Sequence, residues 1–214
     1  MNNNQGIFIT GTDTGVGKTY VTAMIVASLR ASGVDAIAFK PVQTGCKVKC
    51  GALVPADINH CNSNCGIDDS NIDIQSPYRF RDACSPHLAA IRAGTRINPK
   101  KIIRCFNGLQ KNHEVVVVEG AGGVHVPVCG SFCMIDLIKA LDLPAIVVAR
   151  AGLGTINHTL LTVEALRRRK IHISCIILNQ PESIKEKYII TSNIETIEEL
   201  TGLTVISVSH IPHE

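Results

Sequence analysis

Residues 6–19 read GIFITGTDTGVGKT, and this stretch decides the fold. The run 6–11 is apolar and closes on a glycine, as a buried strand does before a turn. Residues 18–32 then show helical periodicity, with Val21, Ile25, Ala27, Ser28 and Leu29 on or near one stripe and Gly33 as a stop. Between strand and helix lies the turn Gly11-Thr12-Asp13-Thr14-Gly15-Val16-Gly17, followed by Lys18-Thr19. Successive backbone N–H groups in such a turn face inward and, with the helix N-terminus, cradle anionic oxygens. Gly15 and Gly17 supply the backbone freedom and close approach that the cradle needs. Lys18 is placed to bring charge to the outer phosphates of a nucleoside triphosphate, and the Thr19 hydroxyl to sit on Mg²⁺. The general pattern G-x-x-x-x-G-K-[ST] asks for glycine at position 12, where this chain has Thr12; its first glycine stands one residue earlier. With the strand–loop–helix context and the GKT ending intact, the segment Gly15, Val16, Gly17, Lys18, Thr19 and Tyr20 is expected to hold the nucleotide.

Outward from that unit, strands are expected at 34–40, 115–119, 145–149, 173–179 and 203–208. Helices are expected at 85–93, 99–109, 135–141, 156–168 and 191–200, with Asn98-Pro99 as cap and first turn of the second. The strands are near-continuous apolar runs, which marks a parallel sheet covered on both faces. Strand alternates with helix throughout, so the fold class is a doubly wound α/β P-loop domain, and residues 1–214 form one domain. The stretch 41–77 is irregular by composition, with one short helix after Asp57.

Charged residues make up 18% of the chain against about 25% in an average domain, and hydrophobic ones 45%, which excludes intrinsic disorder. A net charge of +3, scattered along the chain, is too weak for a nucleic-acid footprint. The basic run Arg167-Arg168-Arg169-Lys170 falls at a helix end, where cations complement the macrodipole. No apolar run approaches 18 residues and the N-terminus lacks a signal-peptide pattern, so the expectation is a cytoplasmic protein without membrane contact. Of the nine cysteines, three pairs are spaced C-x3-C, at Cys46/Cys50, Cys61/Cys65 and Cys129/Cys133. The spacing and the odd count favour free thiols over zinc ligands or disulfides.

A phosphoryl-transfer site also needs hard oxygen ligands for its metal. Glu119 ends an all-valine run and leads into Gly120-Ala121-Gly122-Gly123, at the carboxyl edge of the sheet. Asp57 lies in a polar loop with Asp68, Asp69 and Asp73 as competitors. Lys40 closes the second strand at the same edge and is placed to neutralise a transferring phosphoryl group or an anionic substrate. The helix-opening loop Gly154-Thr155-Ile156-Asn157 is suited to a substrate carboxylate, and Ser85-Pro86-His87 opens another helix. A guanine clamp N-K-x-D is missing: Asn179-Gln180-Pro181 has the Asn alone, which favours ATP, with the Asn179 amide facing an adenine edge.

These segments together resemble the dethiobiotin synthetase family. GTDTGVGKT at 11–19, KPVQTG at 40–45, SPH at 85–87, VVEGAGG at 117–123, GTINHTLLT at 154–162 and Asn179 run in family order over nearly the whole chain. The early glycine of the phosphate loop is the family's usual form. The resemblance implies a mostly parallel seven-stranded sheet and a homodimer with active sites near its interface. It implies that CO₂ is joined to the vicinal amines of 7,8-diaminononanoate, with ATP and Mg²⁺, to give the cyclic urea dethiobiotin, ADP and phosphate. By position, Thr19, Asp57 and Glu119 resemble the Mg²⁺ set, Lys18 and Lys40 the phosphate and carbamate lysines, and Thr14 and Thr44 substrate contacts. Gly154, Thr155, Ile156 and Asn157 resemble the carboxylate loop lent by the neighbouring subunit. The resemblance also implies nucleotide contacts at Gly120, Ala121, Gly122, Gln180 and Pro212, with Asn179 as the adenine reader. With the chain closing just past Pro212, ribose contacts from further on would be missing and nucleotide binding less selective. A partitioning-type ATPase carries a signature lysine where this chain has Asp13, and a glutaminase-coupled amidotransferase needs a domain for which there is no room.

Overall fold

A computed structural model of the chain describes residues 5–68, 71–180 and 187–209. Its main sheet is formed by β1 (Gly6–Gly11), β2 (Ala36–Phe39), β3 (Val115–Gly123), β4 (Ala145–Arg150), β5 (Ile173–Gln180) and β6 (Val205–Ser209). All neighbours pair in parallel, in the order β6-β5-β4-β1-β3-β2. The sequence pattern read six strands and the resemblance implied seven; among the described residues the main sheet has six.

Alternate residues of the central strands feed two separate cores. Phe8, Val116, Val118 and Val147 join one cluster, while Ile9, Val117, Ile146 and Val148 join the other. On the first face lie α4 (Pro86–Arg92), α5 (Pro99–Gln110), α6 (Met134–Leu141), α7 (Thr155–Arg168) and α8 (Lys187–Thr201); on the second lie α1 (Lys18–Ala31) and α2 (Ala56–Cys65). Burial on both faces is why these strands read as unbroken apolar runs. Asn98 caps α5 as expected, its Oδ1 accepting the Lys100 N–H at 2.9 Å. The basic run at the end of α7 is engaged within the chain, Arg168 with Glu164 and Arg169 with Asp136. No helix among the described residues is long and apolar enough to cross a membrane.

The chain leaves β1 for β2 on one side of the sheet and later crosses to β4 on the other, so the strand order reverses at β1. The loop after β1 therefore opens at a switch point, the place where this architecture leaves a crevice.

The stretch 41–77 holds more order than its composition suggests. Val42–Gln43 pairs in parallel with Tyr78–Arg79, and Lys47–Lys49 forms a hairpin with Ala52–Val54. Its two turn residues, Cys50 and Gly51, have φ of 50° and 79°, the left-handed pair that a two-residue hairpin asks for. A short helix, Ile72–Gln75, which we call α3, ends on a fully buried glutamine. Gln75 Nε2 donates to Ala38 O and to Asn62 Oδ1, and Asn62 Nδ2 returns a bond to Gln75 Oε1, each at 3.1 Å. The Gln75 carbonyl accepts the Lys40 N–H at 2.7 Å. The Gln75 side chain thus ties β2 to α2, while its backbone carbonyl holds the N–H of Lys40.

Gln75→Leu keeps the volume and strands an amide and a carbonyl in a dry site. Each unsatisfied group costs about 1–3 kcal/mol, so we expect a loss of about 2–4 kcal/mol in urea unfolding. An unchanged midpoint would refute this role.

Candidate functional site

The loop after β1 folds back on itself. A Cβ at Gly11 would lie 2.8 Å from both the Asp13 carbonyl oxygen and Lys18 Nζ, so the early glycine is required by close approach. Gly17 caps α1 with φ 94°. Lys18 is buried, and its ammonium donates to the Asp13 carbonyl at 2.8 Å across the mouth of the loop. Burial, and after it the charge of Lys40, lower its pKa to about 8, against the opposing pull of Glu119, Asp13 and Asp57.

Glu119 faces Ile9 in the β1–β3 register and is only 3% exposed. The strand it was expected to end continues to Gly123, because Gly120, Gly122 and Gly123 let β3 keep pairing beside the loop. A Cβ at Gly120 would come within 2.8 Å of the Phe8 ring. Thr19 Oγ1 donates to Glu119 Oε1 at 2.8 Å, which links the first turn of α1 to the middle of β3.

Lys40 follows β2, whose Phe39 pairs with Val118, so its side chain reaches the same edge. The ammonium meets Glu119 Oε1 at 2.6 Å, Asp57 Oδ2 at 2.8 Å and Gly120 O at 3.2 Å. Burial pulls its pKa down, but the two carboxylates and their hydrogen bonds outweigh that, and the net direction is up. Lys40 is therefore a buried cation, with Glu119 and Asp57 as its counter-charges.

Of the four acidic candidates, Asp57 is the one in contact with Lys40; Asp73 pairs instead with Arg79, and Asp69 lies outside the described residues. Asp57 sits in the first turn of α2, its N–H donating to the buried Gln43 Oε1 at 3.3 Å. Gln43 and Gln75 are positioning groups that pattern reading missed. Their local sequences, K-P-V-Q-T-G and N-I-D-I-Q-S-P, carry no period that marks either glutamine.

These side chains line a cavity of about 650 Å³, together with Thr14, Gly15, Gly17, Thr44, Ala121, Gly122, Ser85 and Pro86. An adjoining cleft of about 900 Å³ shares Thr14 and Val126 with it and is walled by His125, His158, Thr162 and Arg168. Val16 is fully buried beneath the loop, and Tyr20 is half-buried on α1. Asn179 is buried at the end of β5, and Gln180 donates to Ser207 Oγ. Gly154, Thr155, Ile156 and Asn157 open α7 after β4 and do not line the cavity of their own chain. Pro212 lies outside the described residues.

Thr19, Asp57 and Glu119 put a hydroxyl and two carboxylates around one point, a donor set suited to a hard cation that takes its remaining ligands from phosphate and water. The site's own atoms therefore fit Mg²⁺. Elsewhere, the nine cysteines are unpaired, and no three His, Cys, Asp or Glu side chains gather into a metal-holding group among the described residues. Cys61 packs in the core between α1 and α2, where burial and then the neighbouring Cys65 push its thiol pKa well up.

The chain matches the family described as an AAA domain over residues 5–214. It is 41% identical over 210 residues to the ATP-dependent dethiobiotin synthetase BioD of Anoxybacillus flavithermus (strain DSM 21510 / WK1), covering 98% of this chain and 92% of that protein. To the protein of the same name from Anaeromyxobacter sp. (strain Fw109-5) it is 46% identical over 176 residues, 82% of this chain and 77% of the other. Among solved structures, it is similar to a ParA family ATPase from Chlorobium tepidum TLS, with TM-score 0.57 and 14% identity over 99% of this chain and 85% of the other. It is also similar to the MinC:MinD cell division protein complex of Aquifex aeolicus, with TM-score 0.60 and 14% identity over 97% and 82%. At that identity the two structures speak for the fold alone. The curated relatives carry more, and on their identity and coverage this chain belongs to the dethiobiotin synthetase family.

Proposed function

We propose that this chain is an ATP- and Mg²⁺-dependent cyclo-ligase that carboxylates 7,8-diaminononanoate with CO₂ and closes the cyclic urea of dethiobiotin, releasing ADP and phosphate. The observation that carries the reading is Lys40. It comes from a different strand than the phosphate loop, yet its ammonium is buried on the same cavity wall as Lys18 and is held by Glu119 and Asp57. Plain nucleotide gripping does not call for it. A reaction between two anions does.

One substrate amine takes up CO₂ as a carbamate. A carbamate oxygen then bonds to the γ-phosphorus as the bond to ADP breaks, giving a carbamic–phosphoric anhydride. The second amine attacks the carbonyl carbon, phosphate leaves, and the amine proton passes to solvent. Both nucleophiles belong to the substrate, so the protein needs no activated serine or cysteine. Its task is to bring a carbamate up to a triphosphate against Coulomb repulsion, which two fixed ammonium groups in a desolvated cleft reduce. Lys18 serves the phosphate side and Lys40 the carbamate side. Thr14 and Thr44 line the cavity where the diamine would lie. Thr19, Asp57 and Glu119 would hold the Mg²⁺, which supplies charge neutralisation to the phosphates. The adenine edge falls to Asn179, with Gln180 and Pro212 as further nucleotide contacts.

The homodimer belongs to the same reading. Gly154–Asn157 adjoins His158 on the neighbouring cleft, and as a loop lent to a second copy it would take the substrate carboxylate on the free N–H groups of α7. The site of action is the cytoplasm.

Two outcomes follow. In a phosphate-release assay, Mg²⁺-ATP turnover is slow alone and rises with the diamine and bicarbonate together; vigorous turnover indifferent to the diamine sinks the reading. Lys40→Met leaves ATP affinity within about threefold by calorimetry, under about 1 kcal/mol, while dethiobiotin formation falls at least ~100-fold. Because the change leaves buried carboxylates without a cation, it also lowers stability by about 3–5 kcal/mol, so folding is checked by circular dichroism on the same preparation. Equal losses of binding and product formation would put Lys40 in the nucleotide site.

A further inference from the structure

Asn179 ends up against the phosphate loop although strand β4 stands between β5 and β1. The side chain is 3% exposed, and its Nδ2 donates to the carbonyl of Val16 at 3.0 Å. The contact is tight enough to dictate a neighbouring residue. A Cβ on Gly17 would lie 1.8 Å from that nitrogen, and Gly17 has φ 94°, so both the space and the backbone conformation there exclude a side chain. The Asn179 backbone is itself fixed in the sheet, opposite Arg150 on one side and Val208 on the other, with its carbonyl accepting the Ala151 N–H at 3.1 Å. The amide is thus a rigid arm reaching from the sheet to the loop.

The consequence lies in the peptide that is gripped. Carbonyl and N–H of a trans peptide lie in one plane and point in opposite directions. Holding the Val16 carbonyl towards Asn179 turns the Gly17 N–H the other way, and Gly17 lines the phosphate cavity whereas Asn179 does not. Among the described residues, other sheet-to-loop links are the Thr12 N–H to Val148 O at 2.9 Å and the exposed Arg150 guanidinium, which reaches Thr14 O at 3.4 Å and Asp13 Oδ2 at 3.9 Å. Neither touches the Val16–Gly17 peptide.

We propose that Asn179 is a positioning residue for the phosphate cradle, in addition to any contact with the base. Its amide nitrogen is committed to Val16, while its Oδ1 is buried without a partner and is the atom left to receive a base amino group. Base recognition and cradle geometry are then joined through one side chain. This rests on the nucleotide-site reading above, and a ligand without a base separates the two.

The test is calorimetric binding of ATP and of inorganic tripolyphosphate to the wild type, Asn179→Ala and the near-isosteric Asn179→Leu, each confirmed folded by its thermal transition. A cradle role predicts that tripolyphosphate binding weakens at least fivefold in both variants. It also predicts that kcat falls along with the rise in KM for ATP, because the phosphates sit wrongly in the bound state. Unchanged tripolyphosphate affinity beside weakened ATP binding would make Asn179 a base reader only and overturn the proposal. Unchanged affinity for both ligands would overturn it too. A folded wild type that binds neither ligand would overturn the nucleotide-site reading itself.

Discussion

The site depends on one buried charge, the ammonium of Lys40 between Glu119 and Asp57. Such a group has no solvent to lean on, so its position is determined by the oxygens that compensate it, at 2.6 and 2.8 Å. Those oxygens come from separate elements, β3 and α2, and the lysine follows β2. The parallel pairing of β2 with β3 brings Lys40 and Glu119 to the same edge, and the docking of α2 delivers Asp57. Thr19, reaching Glu119 from α1, completes the ring. Any change that tilts one of these elements leaves a charge without its partner, at a cost of several kcal/mol. The same arrangement keeps positive charge where anions must meet.

Glycines are the second constraint, and each has a particular neighbour. Gly11 yields to Lys18 and the Asp13 carbonyl, Gly17 to Asn179, and Gly120 to the ring of Phe8. At these points loop, helix and sheet neighbours in turn press on backbone that carries no side chain. This explains why the first glycine stands at 11 and not at 12: the steric demand falls where the chain doubles back beneath Lys18.

Much of this was legible in the sequence for a simple reason. Long elements buried on both faces announce themselves by unbroken apolar runs, and the phosphate loop by a chain of glycines closing on Lys18-Thr19. The apolar pattern marks six strands and they are the six of the main sheet among the described residues, while the count of seven came with the resemblance. What stayed hidden was 41–77. Its strands are two or three residues long and owe their order to tertiary contacts, and the choice of Asp57 over its competitors depends on Gln43 meeting the Asp57 N–H and on Gln75 meeting Asn62 of the same helix. No local period records such a meeting. Three of the four cysteines of this stretch serve packing: Cys46 and Cys61 are buried and Cys65 leans on the Ala23 carbonyl, while Cys50 is exposed in the hairpin turn.

The central claim is that the protein brings a carbamate oxygen onto the γ-phosphate. Oxygen-18 follows that bond directly. With freshly supplied oxygen-18 CO₂, the diamine, Mg²⁺ and unlabelled ATP in a single turnover, the account predicts one labelled oxygen in the released phosphate and one in the urea carbonyl. Phosphate carrying no label from CO₂ while dethiobiotin accumulates would contradict it.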